Sequence, residues 1–368
     1  STALGHTTVA RGDQSIAAGS ATIASGHNAV ALGSSTQAEG FASVAMGYRN
    51  TARGLSSLAM GESCFAEKDW STALGWNTKA GNLAAFSVGE YTQALGRGSF
   101  AAGGHSDAYG TSSISMGWYT HANGDCSAAM NSNTSASGAS STAMGNVTHA
   151  RSFAEMVVGL YNTYYDPRST SNFDATDRLF VVGNGKSSVE TSNALTILKS
   201  GNTGIGTDTP SALLHPSGTA TGGGNVLFNG EMKETNPGNP PVSGGGTRMM
   251  WYPDKAAFRV GKVYRNAWDK DSIGFFSVAM GYNTRASGNF SLAMGLSAIS
   301  SNGYSTSLGY KTVASGMASA AIGEGTYAPS YGEVAIGLHN TVYTPVGVTY
   351  VNTADRLFVW GDGTGEKA

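Results

Sequence analysis

The sequence predicts an all-β protein: a parallel β-roll solenoid with fourteen-residue coils, interrupted by a small β-rich connector domain. Three observations carry this prediction. Glycine recurs every seven residues from Gly5 to Gly159 without an insertion, filling 19 of 23 register positions, with Lys68, Asn82, Asn131 and Ser152 as the departures. Alanine stands two residues before the register position in 20 of 23 cases, the exceptions being Ser87, Ser115 and Val157. The residue just before the glycine alternates in character, apolar at Leu4, Ala18, Leu32, Met46, Met60 and Leu74 but largely polar at Arg11, Ser25, Glu39, Arg53 and Glu67. Regularity at a fixed period marks stacked repeats, and the alternation doubles the period to fourteen.

Each seven reads as a short strand. The segments Ser43-Val44-Ala45-Met46-Gly47 and Ser57-Leu58-Ala59-Met60-Gly61 alternate small with large side chains, the period of a half-buried strand. A coil made of two such strands leaves room only for Ala, Ser and Gly inside. Glycine is expected at each bend, where it supplies backbone freedom. At about 4.8 Å per coil, the eleven or so coils of residues 1–159 predict a rod on the order of 50 Å long.

The large residues on one face form a stripe. Val44 with Met46 and Leu58 with Met60 continue from Leu32 and lead on to Leu74, Val88, Met116, Met130 and Met144. The same column returns later as Met280, Met294, Leu308 and Ile322. Removing apolar surface from water is worth roughly 25 cal/mol per Å², so a continuous stripe of this kind predicts a subunit interface. Cyclic symmetry can close such an interface.

The coil G-x-x-S-x-A-Φ-G followed by x-x-x-x-A-x-G, seen from Gly40 to Gly61 and again from Gly281 to Gly295, resembles the head repeats of trimeric autotransporter adhesins, the YadA-like left-handed β-roll. The resemblance implies a parallel homotrimer on a bacterial surface that binds matrix or another surface. It implies no particular ligand.

Five segments are expected along the chain: a first roll over 1–160, an exit loop and strand over 161–185, a connector over 186–273, a shorter roll over 274–338, and a second exit loop and strand over 339–368. The two exits repeat one text, Thr176-Asp177-Arg178-Leu179-Phe180-Val181 against Ala354-Asp355-Arg356-Leu357-Phe358-Val359. Within the connector, Asn193 to Leu198 and Thr247 to Tyr252 alternate like strands, while Gly201 to Gly206 and Gly222 to Gly224 read as turns. Its subunits are expected to interlace there, because short strands with few apolar residues seldom make a core alone. Segments with Trp251-Tyr252-Pro253-Asp254 resemble those of bacterial surface and tail-fibre-like proteins. The chain opens at Ser1 in mid-register, as expected for a piece of a longer polypeptide.

Composition points to an extracellular, non-catalytic rod. The chain has 52 Gly, 12% charged residues and a net charge of −2, so neither nucleic acid nor an anionic membrane is the expected partner. No apolar run approaches a membrane span. The G-N-G-K text at Gly183 to Lys186 lacks the Walker spacing, and no cofactor is expected. His121 and His149 lie two coils apart, about 10 Å, too far to share one metal, and are expected to be surface-exposed; no metal is expected. Cys64 falls at an inward position and lies too far from Cys126 for a disulfide.

Aromatic residues follow the apolar-series glycine at Tyr48, Trp76, Trp118, Tyr282 and Tyr310, a column that covers the bend or offers a surface contact. Glu39 and Glu67 share a face about 10 Å apart, loose for a glycosidase pair. The expected function is thus a structural and adhesive segment of an extracellular trimeric fibre binding a cell-surface, matrix or glycan ligand. A phage or contractile-injection tail-fibre segment is the alternative, and a polysaccharide-degrading enzyme the remote one.

Overall fold

The fold was derived from a computed structural model, which describes residues 1–218 and 224–364. It separates into two units, residues 1–226 and 227–368.

In the first unit, one coil shows the logic of all. The five-residue strand Val44–Tyr48 runs to a corner at Arg49, the two-residue strand Thr51–Ala52 follows, and a turn at Leu55 and Ser56 leads into the next long strand, Leu58–Glu62. Successive long strands pair in parallel at a shift of fourteen, with Val44 beside Leu58, Ala45 beside Ala59 and Met46 beside Met60. The long strands from Thr2–His6 to Met156–Leu160 form one sheet and the short strands an 11-stranded second sheet. This is the predicted parallel solenoid with coils of about fourteen residues.

The interior is as small as the sequence requires. Ala45, Ala52, Ser43 and Asn50 are fully buried, and buried counterparts repeat along the roll after its first coil. Inward hydroxyls are put to use at the turns: Ser43 Oγ donates to Gly40 O at 2.8 Å and Ser57 Oγ to Gly54 O at 2.7 Å. Asn50 ties two coils together, since its Nδ2 donates to Gly61 O at 2.6 Å and its Oδ1 accepts from Cys64 N at 2.8 Å. Cys64 is buried in the same column, and Cys126 is a free, exposed thiol.

The expected role of glycine holds in part, since the register glycines of the long strands take φ from +102° to +137° and Gly40 and Gly54 sit in bends, but the corners add a second requirement. The left-handed corner residues are not the register glycines but the residues two positions on, such as Arg49 at φ 56° and Ser56 at φ 51°. That conformation costs an L-residue free energy, yet the stack over-determines it, with Arg49 N donating to Ser34 O at 2.9 Å and Ser56 N to Phe41 O at 2.7 Å. Glycine is required by the neighbouring coil. A Cβ on Gly40 would stand 2.0 Å from Gly54 O, although Gly40 has an ordinary φ. On Gly47 it would stand 2.2 Å from Gly61 O, and there φ is +114° as well. Asn131, the departure in that series, accepts φ 84°.

The first sheet does not stop with the roll. Arg178–Asn184 pairs in parallel with Met156–Leu160, and Asn193–Leu198 then pairs with it antiparallel, followed by Thr203–Ile205 and Leu214–Pro216. The expected turn after Gly201 is therefore brief, with Gly201 at φ 92° and a strand from Thr203. The expected turn at Gly222 and Gly223 lies outside the described residues.

In the second unit, the hairpin Gly246–Tyr252 with Ala257–Val263 lays its second strand parallel to Val278–Tyr282. Five long strands of roll follow, ending at Val334–Leu338, and Phe358–Asp362 pairs onto the last. Met250, Tyr252, Trp268 and Ile273 pack with Ala279 and Ala286 to close the start of this roll. Arg259 takes the place in the register where the next two coils have Ala279 and Ala293. Its fully buried guanidinium donates to Ser277 O and Ser277 Oγ, both at 2.7 Å, and to Ala286 O at 3.0 Å. Burial pushes its pKa down to about 10.

The stretch 186–273, read from sequence as one connector, thus contributes strands to both units, each extending a roll sheet across its open edge. Among the described residues there is no α-helix, only the 3-10 turns Pro253–Lys255 and Lys270–Ser272.

Candidate functional site

The long strands and the short strands give the roll two unlike faces. On the long-strand face, the interface residues expected from sequence all point outward. Leu32, Val44, Met46, Leu58, Leu74, Val88, Met130 and Met144 are half-buried by their neighbours along the stripe, and Met60 and Met116 stay about 40% exposed. In the second roll, Met280, Leu308 and Ile322 are half-buried and Met294 is exposed. Phe86 and Phe100 stack at 5.3 Å between centroids within the same stripe. The stripe keeps exposed apolar surface at Met60, Met116 and Met294.

The short-strand face carries the opposite chemistry. Its outward column, running through Gln37, Thr51, Phe65, Lys79, Gln93, Asp107 and His121, is polar apart from Phe65. Polar contacts link it: Lys79 Nζ pairs with Glu67 Oε1 at 3.2 Å and Arg53 Nε with Glu39 Oε2 at 3.4 Å, and His121 Nδ1 lies 3.3 Å from Asp107 Oδ2. Glu39 and Glu67 are accordingly each occupied by a cation. Tyr109 OH donates to Asp107 Oδ2 at 3.4 Å, and burial, followed by the Asp107 charge, raises its pKa.

Over this column leans an aromatic ladder that the sequence reading passed by. Tyr91, His105 and Tyr119 occupy successive left-handed corners, and their rings stack at 5.0 and 4.6 Å, within 8° of parallel. Ladder and column enclose a groove of about 580 Å³ lined by residues such as Phe65, Lys79, Gln93, Asp107 and His121. The signal lay in the spacing, since 91, 105 and 119 are fourteen apart and stack because the coil repeats. A second ladder, Phe276, Phe290 and Tyr304 at 4.7 and 5.1 Å, sits on the corners that precede the long strands of the second roll.

The expected aromatic column adjoins these corners. Trp76 sets its edge to Tyr91 at 4.7 Å, and Trp118 packs edge-on to His105 and Tyr119, both at 5.4 Å. Tyr48 and Tyr310 are exposed, with Arg49 and Lys311 over their rings, while Tyr282 packs at right angles to Tyr264. Stacked rings cover one another's faces, so the ladder turns ring edges, hydroxyls and imidazole nitrogens to the groove. That arrangement suits hydrogen bonding to polyhydroxylated or peptide ligands more than stacking on a sugar face. His121 and His149 are half-buried rather than fully exposed, because the corner residues shade the column. Burial and the Arg151 charge lower the His149 pKa.

The fold and this repeat define a class. The YadA head domain repeat matches the chain over residues 1–22, 24–50, 38–63, 272–298 and 300–326. Both rolls therefore carry YadA-like head repeats. Residues 64–160 keep the same coil beyond the matched stretches. No curated protein matches the chain. Among the described residues no helix is long and apolar enough to cross a membrane.

Proposed function

We propose that this chain is a structural and adhesive segment of an extracellular homotrimeric fibre. Three subunits close their long-strand faces on one axis and turn their short-strand faces outward to a cell-surface, matrix or glycan ligand. The observation that carries this reading is the partly exposed apolar stripe running coil after coil opposite a polar groove. Its role is attachment, not catalysis: Glu39 and Glu67 are each paired with a cation rather than with one another across a cleft.

Attachment is tested by coating beads with the chain and measuring retention on immobilised polysaccharides and matrix proteins. The triple variant Tyr91→Ala, His105→Ala, Tyr119→Ala is compared with wild type. The account expects retention on at least one surface and its loss in the variant. Equal retention of the two would place adhesion elsewhere.

A further inference from the structure

The two exit segments are copies offset by 178 residues, and among the described residues only the first has a strand on its outer edge. Both copies build the same cap on their roll. Asn162 exchanges bonds with the backbone of His149 as Asn340 does with Tyr327. The Tyr165 hydroxyl donates to Glu155 Oε2 as that of Tyr343 does to Glu333 Oε2. Asp177 accepts the amides of Arg168 and Ser169, and Asp355 those of Val346 and Gly347. Arg178 lies 4.1 Å over the Tyr165 ring, and Arg356 lies 4.3 Å over Tyr343.

In the first copy, Asn193–Leu198 lies antiparallel along the outer edge of Arg178–Asn184. It sets Ile197 opposite Phe180, Thr196 opposite Val181 and Leu195 opposite Val182. Asn193 exchanges two bonds with Thr163, at 3.0 and 2.9 Å, and Lys199 Nζ reaches Ser152 Oγ at 2.9 Å. Arg178 is 4% exposed and Val181 is buried. In the second copy, Phe358–Asp362 is the edge of its sheet among the described residues. There Phe358 is 61% and Trp360 71% exposed, Thr341 is exposed, and Ser330 Oγ turns to Glu333 Oε2 at 3.0 Å.

We propose that the outer edge of Phe358–Asp362 is a receiving site for an antiparallel strand of the same polypeptide with the chemistry of Asn193 to Lys199. An Asn seats on Thr341, alternate aliphatic residues cover Phe358 and Trp360, and a Lys six positions after the Asn reaches Ser330. An open strand edge is a template for such pairing, because main-chain bonds supply affinity while side-chain positions select the sequence. The occupant is on the same polypeptide because that is how the first copy is filled, after a link of only eight residues between Asn184 and Asn193. The inference stands apart from the trimer and from the ligand.

The test is a chain in which a copy of residues 187–205 directly follows Thr364, reproducing the spacing of the first copy. Amide hydrogen exchange is read over residues 358–362, with residues 178–184 of the same molecule as the internal standard. The expected result is slowing by about tenfold or more towards the rate at 178–184, and its loss when the added copy carries Pro in place of its Thr196 equivalent. Unchanged exchange, or equal slowing with the Pro-bearing copy, overturns the proposal. So does exchange at 358–362 that already matches 178–184 in the unextended chain, because the edge would then be covered by something else.

Discussion

The long-strand and short-strand faces of the first roll share one backbone repeat and one alanine interior, yet they differ in everything they turn outward. Long strands give each coil three outward positions in a row, as with Val44, Met46 and Tyr48, enough width for a dry interface. Short strands give one, as with Thr51, and place it between corner residues, which produces a furrow. Interior residues therefore specify the coil, and outward residues specify what each face does.

The contrast is broken most severely by charging the apolar face. Met46→Asp with Met60→Asp is predicted to abolish assembly, because a desolvated carboxylate there has no partner. Sedimentation of the variant checks this, and an unchanged assembly with unchanged melting would reject the interface. Next in size is Gly47→Ala, which meets Gly61 O and a φ of +114° together and should cost at least about 3 kcal/mol by thermal unfolding.

A smaller effect comes from the end of the roll. Burial raises the Glu155 pKa although Ser152 N and Arg151 N donate to its carboxylate, and its other oxygen is buried without a partner. A carboxyl whose folded pKa lies above its unfolded value binds more protons when folded. Its contribution is full below the ordinary Glu range and declines as pH rises through the raised value. Melting temperature should accordingly rise on mild acidification, and Glu155→Gln should flatten that rise; an equal slope in both proteins would assign the titration to another group.

The smallest change is expected on the polar face. Lys79→Ala removes a partly exposed pair with Glu67 and should shift stability by less than about 1 kcal/mol, as should Gln37→Ala. A loss several times larger in denaturant unfolding would mean that the faces have been exchanged.

Much of this was legible in the sequence because the solenoid is one-dimensional. Ala45 and Met46 repeat at fourteen, so their inward and outward directions follow from the strand period, and Asn193 to Leu198 announced its strand by alternation. What was not legible depends on neighbours along the axis. The register glycines looked like bends, but their place is also set by the carbonyl of the coil fourteen residues on, which no single coil reveals. The ladder of Tyr91, His105 and Tyr119 hid among the corners, where residue type varies freely until adjacent coils bring the rings together. Residues 186–273 lost the repeat and so looked separate, whereas their strands extend the two roll sheets.

The central claim is that the long-strand face is closed by two further copies of the chain. Light scattering on the 37.6 kDa chain in solution tests it most directly. A particle of three times that mass is the predicted result. A stable monomer would contradict the claim, since the stripe through Met46, Met60 and Met116 would then face water.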